Sequence, residues 1–256
     1  MINFIKIAFG FLFDAKYFQL AYLDLKGKFN QFYIGIFWSV LQSLIFITFI
    51  GTLFSIAFKV NYLDMLPYFS VGYVFWNFFS GLYKDGFTLI IGSRGLLNSL
   101  SNMFVFQFNR LIAKHLLLLF FHLIPLLIFL FSVGININFV ITVISFILLF
   151  CFLVFLTMLF TFICLLFRDL IPLLSSLLQL MFFISPIVWK REFLGKYMFL
   201  HDYNPFYVVI QIVRDGMINN KFQSNYYIFI IILTFICFML SFYLFKKNIN
   251  RLIYLI

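Results

Sequence analysis

Long runs without a charge alternate with short polar clusters along this chain. Uncharged runs cover residues 34–58, 66–83, 116–133, 139–167, 170–189 and 226–245. Carrying the second and third over their polar inner ends gives stretches of 66–91 and 107–133. A hydrocarbon layer of about 30 Å is crossed by about 20 helical residues, so the pattern predicts six membrane spans. The runs do not show the short two-residue alternation of an outer-membrane barrel. The predicted fold is therefore an all-α integral membrane protein in one transmembrane domain.

The segments between the spans predict the rest of the organisation. In residues 1–33, Phe18, Tyr22, Leu25, Phe29 and Phe32 recur at spacings of four and three, with Lys16, Gln19, Asp24, Asn30 and Gln31 pointing elsewhere. That spacing fits an amphipathic helix on the inner membrane surface, or an ordinary polar lead-in to the first span. Residues 92–106 are too polar to span and too apolar to float free, and predict a short cytoplasmic helix. A tight turn at Arg168-Asp169 joins the fourth and fifth spans; Asp169 is placed to cap the fifth helix, with Pro172 in its first turn. Residues 190–225 mix polar stretches with short apolar pieces broken at Tyr203-Asn204-Pro205. Pieces that short predict re-entrant or surface helices, because irregular backbone at membrane depth needs protein or a cavity around it.

Composition narrows the class. Of 256 residues, 65% are apolar and 10% charged, against about half and about a quarter in soluble domains. Soluble enzymes, nucleic-acid modules and disulfide scaffolds are excluded on that ground. The net charge of +10 gathers at span ends, which points to topology and acidic lipid rather than nucleic acid. Lys6, Lys16, Lys26, Lys28, Arg94, Arg110, Lys114, Arg168 and the tail of residues 246–256 place both termini in the cytoplasm. The opposite face has Lys59 and the lysines and arginines of residues 190–225. The N-terminal stretch carries no small-residue cleavage pattern and reads as retained. Cys151, Cys164 and Cys237 sit in apolar runs as small hydrophobes.

Little conventional chemistry is present. Gly27-Lys28 and Gly195-Lys196 lack the rest of a phosphate loop, so no ATPase site, cofactor or catalytic set is read on this chain. Asp85 is the one candidate for an intramembrane acid; helix neighbours do not face each other, so it forms no simple pair with Lys84, and the two are read as headgroup-level residues or as lining a pore. His115 and His122 share one face of the third span and are read as polar packing without a metal. The aromatics, 43 of them Phe, carry two readings. They are belts and packing, or a ring-lined conduit in which a polymer slides over the apolar faces of its sugars. Candidates for such a path are Tyr33, Phe37, Trp38, Phe75, Trp76 and Phe79.

In order along the chain, DLKGKFNQFYIGIFWSVLQSL, YFSVGYVFWNFFS, RDLIPLLSSLLQLMFFISPIVW and YNPFYVVIQIVRDGM resemble the membrane subunit of ABC exporters for cell-surface polysaccharides such as O-antigen, capsule and teichoic acid. The Phe-Pro-Arg that this family often carries between its second and third spans is missing here, where Phe104-Val105-Phe106 stands. The resemblance implies a homodimer forming one conduit in a bacterial inner membrane, driven by two separate ATP-binding subunits that hold ATP and magnesium. The implied cargo is a lipid-linked polysaccharide. Implied coupling residues are Arg94, Gly95, Leu96, Leu97 and Asn98, with Arg168 and Asp169. The implied outer gate is Ser185, Pro186, Trp189, Tyr203, Asn204, Pro205, Phe206 and Arg214. Rival readings are an ABC permease for a drug, lipid or haem, an ion-coupled secondary carrier, and a membrane-embedded enzyme.

Overall fold

The computed structural model describes residues 8–12, 14–92, 100–190 and 204–248. Regular structure among these is entirely helical. After a short 3-10 turn at Gly10–Leu12 come α1 (Lys16–Phe29), α2 (Phe37–Phe58), α3 (Tyr62–Gly92), α4 (Leu100–Ser132), α5 (Phe139–Leu166), α6 (Leu170–Ile184), α7 (Pro205–Arg214) and α8 (Ser224–Asn248). A π turn, Asp215–Asn219, continues α7.

Four helices are long and apolar enough to cross a membrane: Phe37–Phe58, Phe104–Ser132, Phe139–Leu166 and Ser224–Lys247. The 22 residues of α2 reach about 33 Å at about 1.5 Å per residue. At 31 residues α3 is longer, but it carries Asp64, Lys84 and Asp85. Although apolar, α6 has only 15 residues; the apolar run continues, but the chain leaves the helix at Ser185-Pro186. Helix α4 starts at Leu100, inside the stretch read from sequence as a coupling loop.

Packing is centred on α3 and α5. Helix α3 lies against α2, α4 and α5, with α6 and α7 at its flank, and α5 packs on α8. The buried face of α2 is Ser39, Ser43, Ile47, Gly51 and Ser55, one residue every four. Small side chains in that register let two backbones approach closely, the usual means of joining helices where lipid is as apolar as the interface. Each serine hydroxyl on that face bonds a carbonyl, Ser39 and Ser43 within the helix and Ser55 to Val60 O at 2.8 Å, so none enters the interface unsatisfied.

Local chemistry fixes the helix ends. Asn138 Oδ1 accepts from Ile141 N at 3.2 Å at the start of α5, and Asn204 Oδ1 accepts from Phe206 N at 3.0 Å at the start of α7. Pro205 follows Asn204 in the first turn, where its missing N–H costs nothing. Asp169 corrects the sequence reading: it stands at the N-cap of α6 but is itself helical and makes no capping bond. The apolar stripe of the N-terminal helix divides between protein and surroundings. Ala21, Leu25 and Phe29 of α1 are buried, α1 lies along α4, and Tyr22 and Phe32 point outward.

Candidate functional site

The segments singled out in the last third of the chain converge at the Tyr68 end of α3. Arg214, at the last turn of α7, is fully buried. Its guanidinium donates from Nη1 to Pro186 O at 2.8 Å, from Nη2 to Ile187 O at 3.1 Å and from Nε to Tyr68 O at 3.2 Å. Its Cζ lies 3.6 Å from the centroid of the Tyr68 ring. Tyr68 Oη in turn donates to Pro186 O at 3.0 Å, and Asn204 Nδ2 donates to Ser185 Oγ at 3.3 Å. A planar, five-donor cation suits this role because carbonyls ring it in a plane while an aromatic face covers it.

The residue opposite is glycine. A Cβ on Gly72 would run into Arg214 Nη2, so any side chain there must displace the guanidinium. Thus Gly72, Ser185, Pro186, Asn204 and Arg214 form one knot that ties α3, the end of α6 and α7 together. Trp189 belongs to its rim, donating from Nε1 to Phe183 O at 3.0 Å. Tyr203 lies outside the described residues. Beside the knot Asp215 is buried, its Oδ1 accepting from Gln211 and Asn219 at 2.8 Å each. Burial raises its carboxyl pKa above the ordinary 3.8, against the lowering pull of those two amides.

The ring candidates separate. Phe75 and Phe79 are interior, Phe75 against Phe146 and Phe79 against Tyr83 and Phe206. Trp76 is largely buried too, touching Phe79, Phe182 and Phe206, but it borders a groove of about 310 Å³ between α3 and α6. The groove's α3 wall also presents Tyr73, Asn77, Ser80 and Lys84, and its α6 wall Gln179 and Phe182. Tyr33, Phe37 and Trp38 are exposed around the start of α2. Tyr33 and Phe37 edge a separate cavity against α1, while Trp38 stacks on Phe32 at 5.5 Å and lines a shallow apolar groove along α2.

Sequence reasoning missed the polar wall. Tyr73, Asn77, Ser80 and Lys84 recur at spacings of four, three and four, a helical stripe inside a run that reads first as aromatic. Nor does sequence spacing reveal the partners of Asp85: its carboxylate pairs with Lys114 Nζ and meets His115 Nε2 at 3.1 Å. His115 fits there because Gly81 offers no Cβ, which would approach its ring to 2.8 Å. A second bridge, Arg110 to Asp24 with Nε to Oδ2 at 2.6 Å, fastens α1 to α4.

Of the coupling candidates, Arg94, Gly95, Leu96, Leu97 and Asn98 lie outside the described residues. Arg168 and Asp169 sit in an exposed turn between α5 and α6. Among the described residues no group of His, Cys, Asp and Glu could hold a metal ion.

The sequence profile of one family, described as ABC-2 type transporter, matches residues 17–218. This chain belongs to the ABC-2 type transporter family. The match takes in α1 to α7 and the knot, most of the chain. No curated protein matches it. Membership makes this ABC-2 protein a multi-pass membrane permease, the transport component of an ABC system, and implies partnership with ATP-binding cassette subunits.

Proposed function

We propose that this permease exports a lipid-linked polysaccharide across a bacterial inner membrane as a homodimer, with two ATP-binding cassettes beneath it. In this reading α3 and α6 span together with α2, α4, α5 and α8, six in all, and both termini are cytoplasmic. The observation that carries it is the groove between α3 and α6. Tyr73, Trp76 and Phe182 offer ring faces to sugar C–H surfaces, and Asn77, Ser80 and Gln179 offer donors and acceptors to hydroxyls. Such a wall grips a glycan weakly at many points, as a sliding polymer requires.

A polar wall open on one side at membrane depth needs a partner surface or water, and a second copy closing the groove supplies one. Within that scheme Trp76 is the contact ring, and Phe79 holds it from behind through Phe206. Tyr33, Phe37 and Trp38 border the cytoplasmic approach. The Arg214 knot is the fixed end of the outer gate formed by Ser185, Pro186, Trp189, Tyr203, Asn204, Pro205 and Phe206. Residues 94–98, with Arg168 and Asp169, receive the cassettes.

The test is a W76A/F79A double substitution with surface polysaccharide as the readout. Export is expected to fall at least tenfold while the protein still inserts, dimerises and co-purifies with a cassette subunit in equal amount. Undiminished surface glycan would remove the ring-lined path, and purification without any cassette subunit would remove the ATP-driven assembly.

A further inference from the structure

A second cavity, about 400 Å³, opens between α1, α3 and α4 and shares Asn77 and Lys84 with the groove. The shared stripe makes α3 a common wall, so the two spaces are neighbours around one helix face rather than separate pockets. The acids of the second cavity are already engaged. Asp24 is held by Arg110, and Asp85 by Lys114 and His115. Lys28 and Lys84 also line it, and no carboxylate among the described residues pairs with either. With Lys28, Lys84, Lys114 and Arg110 set against Asp24 and Asp85, the surroundings hold two cations more than anions. His122 and Asn77 add further polar groups.

The remaining wall is apolar, formed by Leu25, Phe78, Leu118 and Leu119. A cation-rich lip beside an oily wall fits an amphiphile whose head is an acceptor-only oxyanion. Uncommitted donors from two helices, Lys28 of α1 with Lys84 and Asn77 of α3, line this lip and favour phosphate over a carboxylate, which has fewer oxygens to satisfy.

We infer that the cavity between α1, α3 and α4 binds the phosphate or diphosphate head of an acidic lipid through Lys28, Lys84 and Asn77, next to the groove along which the attached glycan would move. The inference rests on the lipid-linked cargo proposed above and names its anchoring group. Lys84 and Asn77, present on both walls, then let one headgroup pass from cavity to groove without losing its partners. The same chemistry has two sources, a bulk phospholipid and the phosphate of the cargo lipid.

The experiment uses the full chain in phosphatidylcholine nanodiscs, without ATP or cassettes. It is titrated in one arm with a C15 alkyl diphosphate and in the other with phosphatidylglycerol. Saturable diphosphate binding is expected, weakened tenfold or more by K28Q/K84Q and kept within threefold of wild type by K84R. Phosphatidylglycerol binding at least tenfold weaker assigns the cavity to the cargo anchor. Equal binding of both lipids, lost together in K28Q/K84Q, keeps the oxyanion site and assigns it to bulk lipid. Unchanged binding in K28Q/K84Q, with the variant eluting as a single species like wild type, overturns the site. Because export is not read, a chain that binds diphosphate but does not export fails the permease proposal alone.

Discussion

The two ends of α3 are both fastened by cations, in opposite ways. Near Tyr68, one arginine is fully buried and satisfied by backbone carbonyls and a ring. Near Asp85, side-chain carboxylates pair with Lys114, His115 and Arg110 across helices, each partly open to the surroundings except His115. Carbonyls are fixed by the chain, so the first arrangement holds non-helical backbone in one shape. Side-chain pairs are screened by salt, so the second arrangement holds α1, α3 and α4 more weakly and in a salt-sensitive way.

The contrast is broken most severely at Arg214. R214A removes three charge-assisted bonds, each worth about 1.5–3 kcal/mol, and leaves a buried void. A loss above about 3 kcal/mol is expected from bonds of that strength, read as a lower unfolding temperature in detergent. A cysteine placed at Val188 should also become reactive to a thiol reagent. R214K should fall between, because one ammonium cannot reproduce the fork. Next in size is G72A, whose methyl must displace the guanidinium; overpacking of this kind costs about 1–3 kcal/mol.

At the other end, D85N should cost only about 1 kcal/mol, the scale of a partly exposed pair. Most of that difference should vanish in high salt, whereas the R214A loss should not; equal salt dependence at the two ends would erase the distinction. The smallest effect concerns pH. The raised pKa of Asp215 means that the folded state holds its proton longer than the unfolded one. Its contribution is therefore most favourable at low pH and declines as pH rises from about 3.8 through the folded value. D215N should flatten that slope in a melting series from pH 3 to pH 7.

Legibility followed the range of the interaction. The four long apolar helices, the Asn204-Pro205 helix start and the turn at Arg168-Asp169 are local, and uncharged runs and dipeptides announce them. Arg214 was singled out in sequence with its neighbours, but its bonding to Tyr68, Pro186 and Ile187 is not encoded by any spacing. Asp85 shows the same limit: helix geometry excludes Lys84 as its partner, yet only packing of α3 on α4 supplies Lys114 and His115. The Tyr73–Asn77–Ser80–Lys84 stripe was readable, since its period is helical. It was masked by the rings among which it sits. The early end of α6 had a visible cause in Ser185-Pro186, outweighed by a hydrophobic run that continues past it.

The burial of α7 has a consequence for biogenesis. Every residue from Tyr207 to Arg214 is inside the protein, and part of that lining comes from α8, where Tyr226 meets the Tyr207 ring at 6.4 Å. A chain that ends before α8 leaves α7 without its final surroundings. Protein truncated before residue 224 and released into the membrane should leave α7 open to protease, whereas the full chain should protect it.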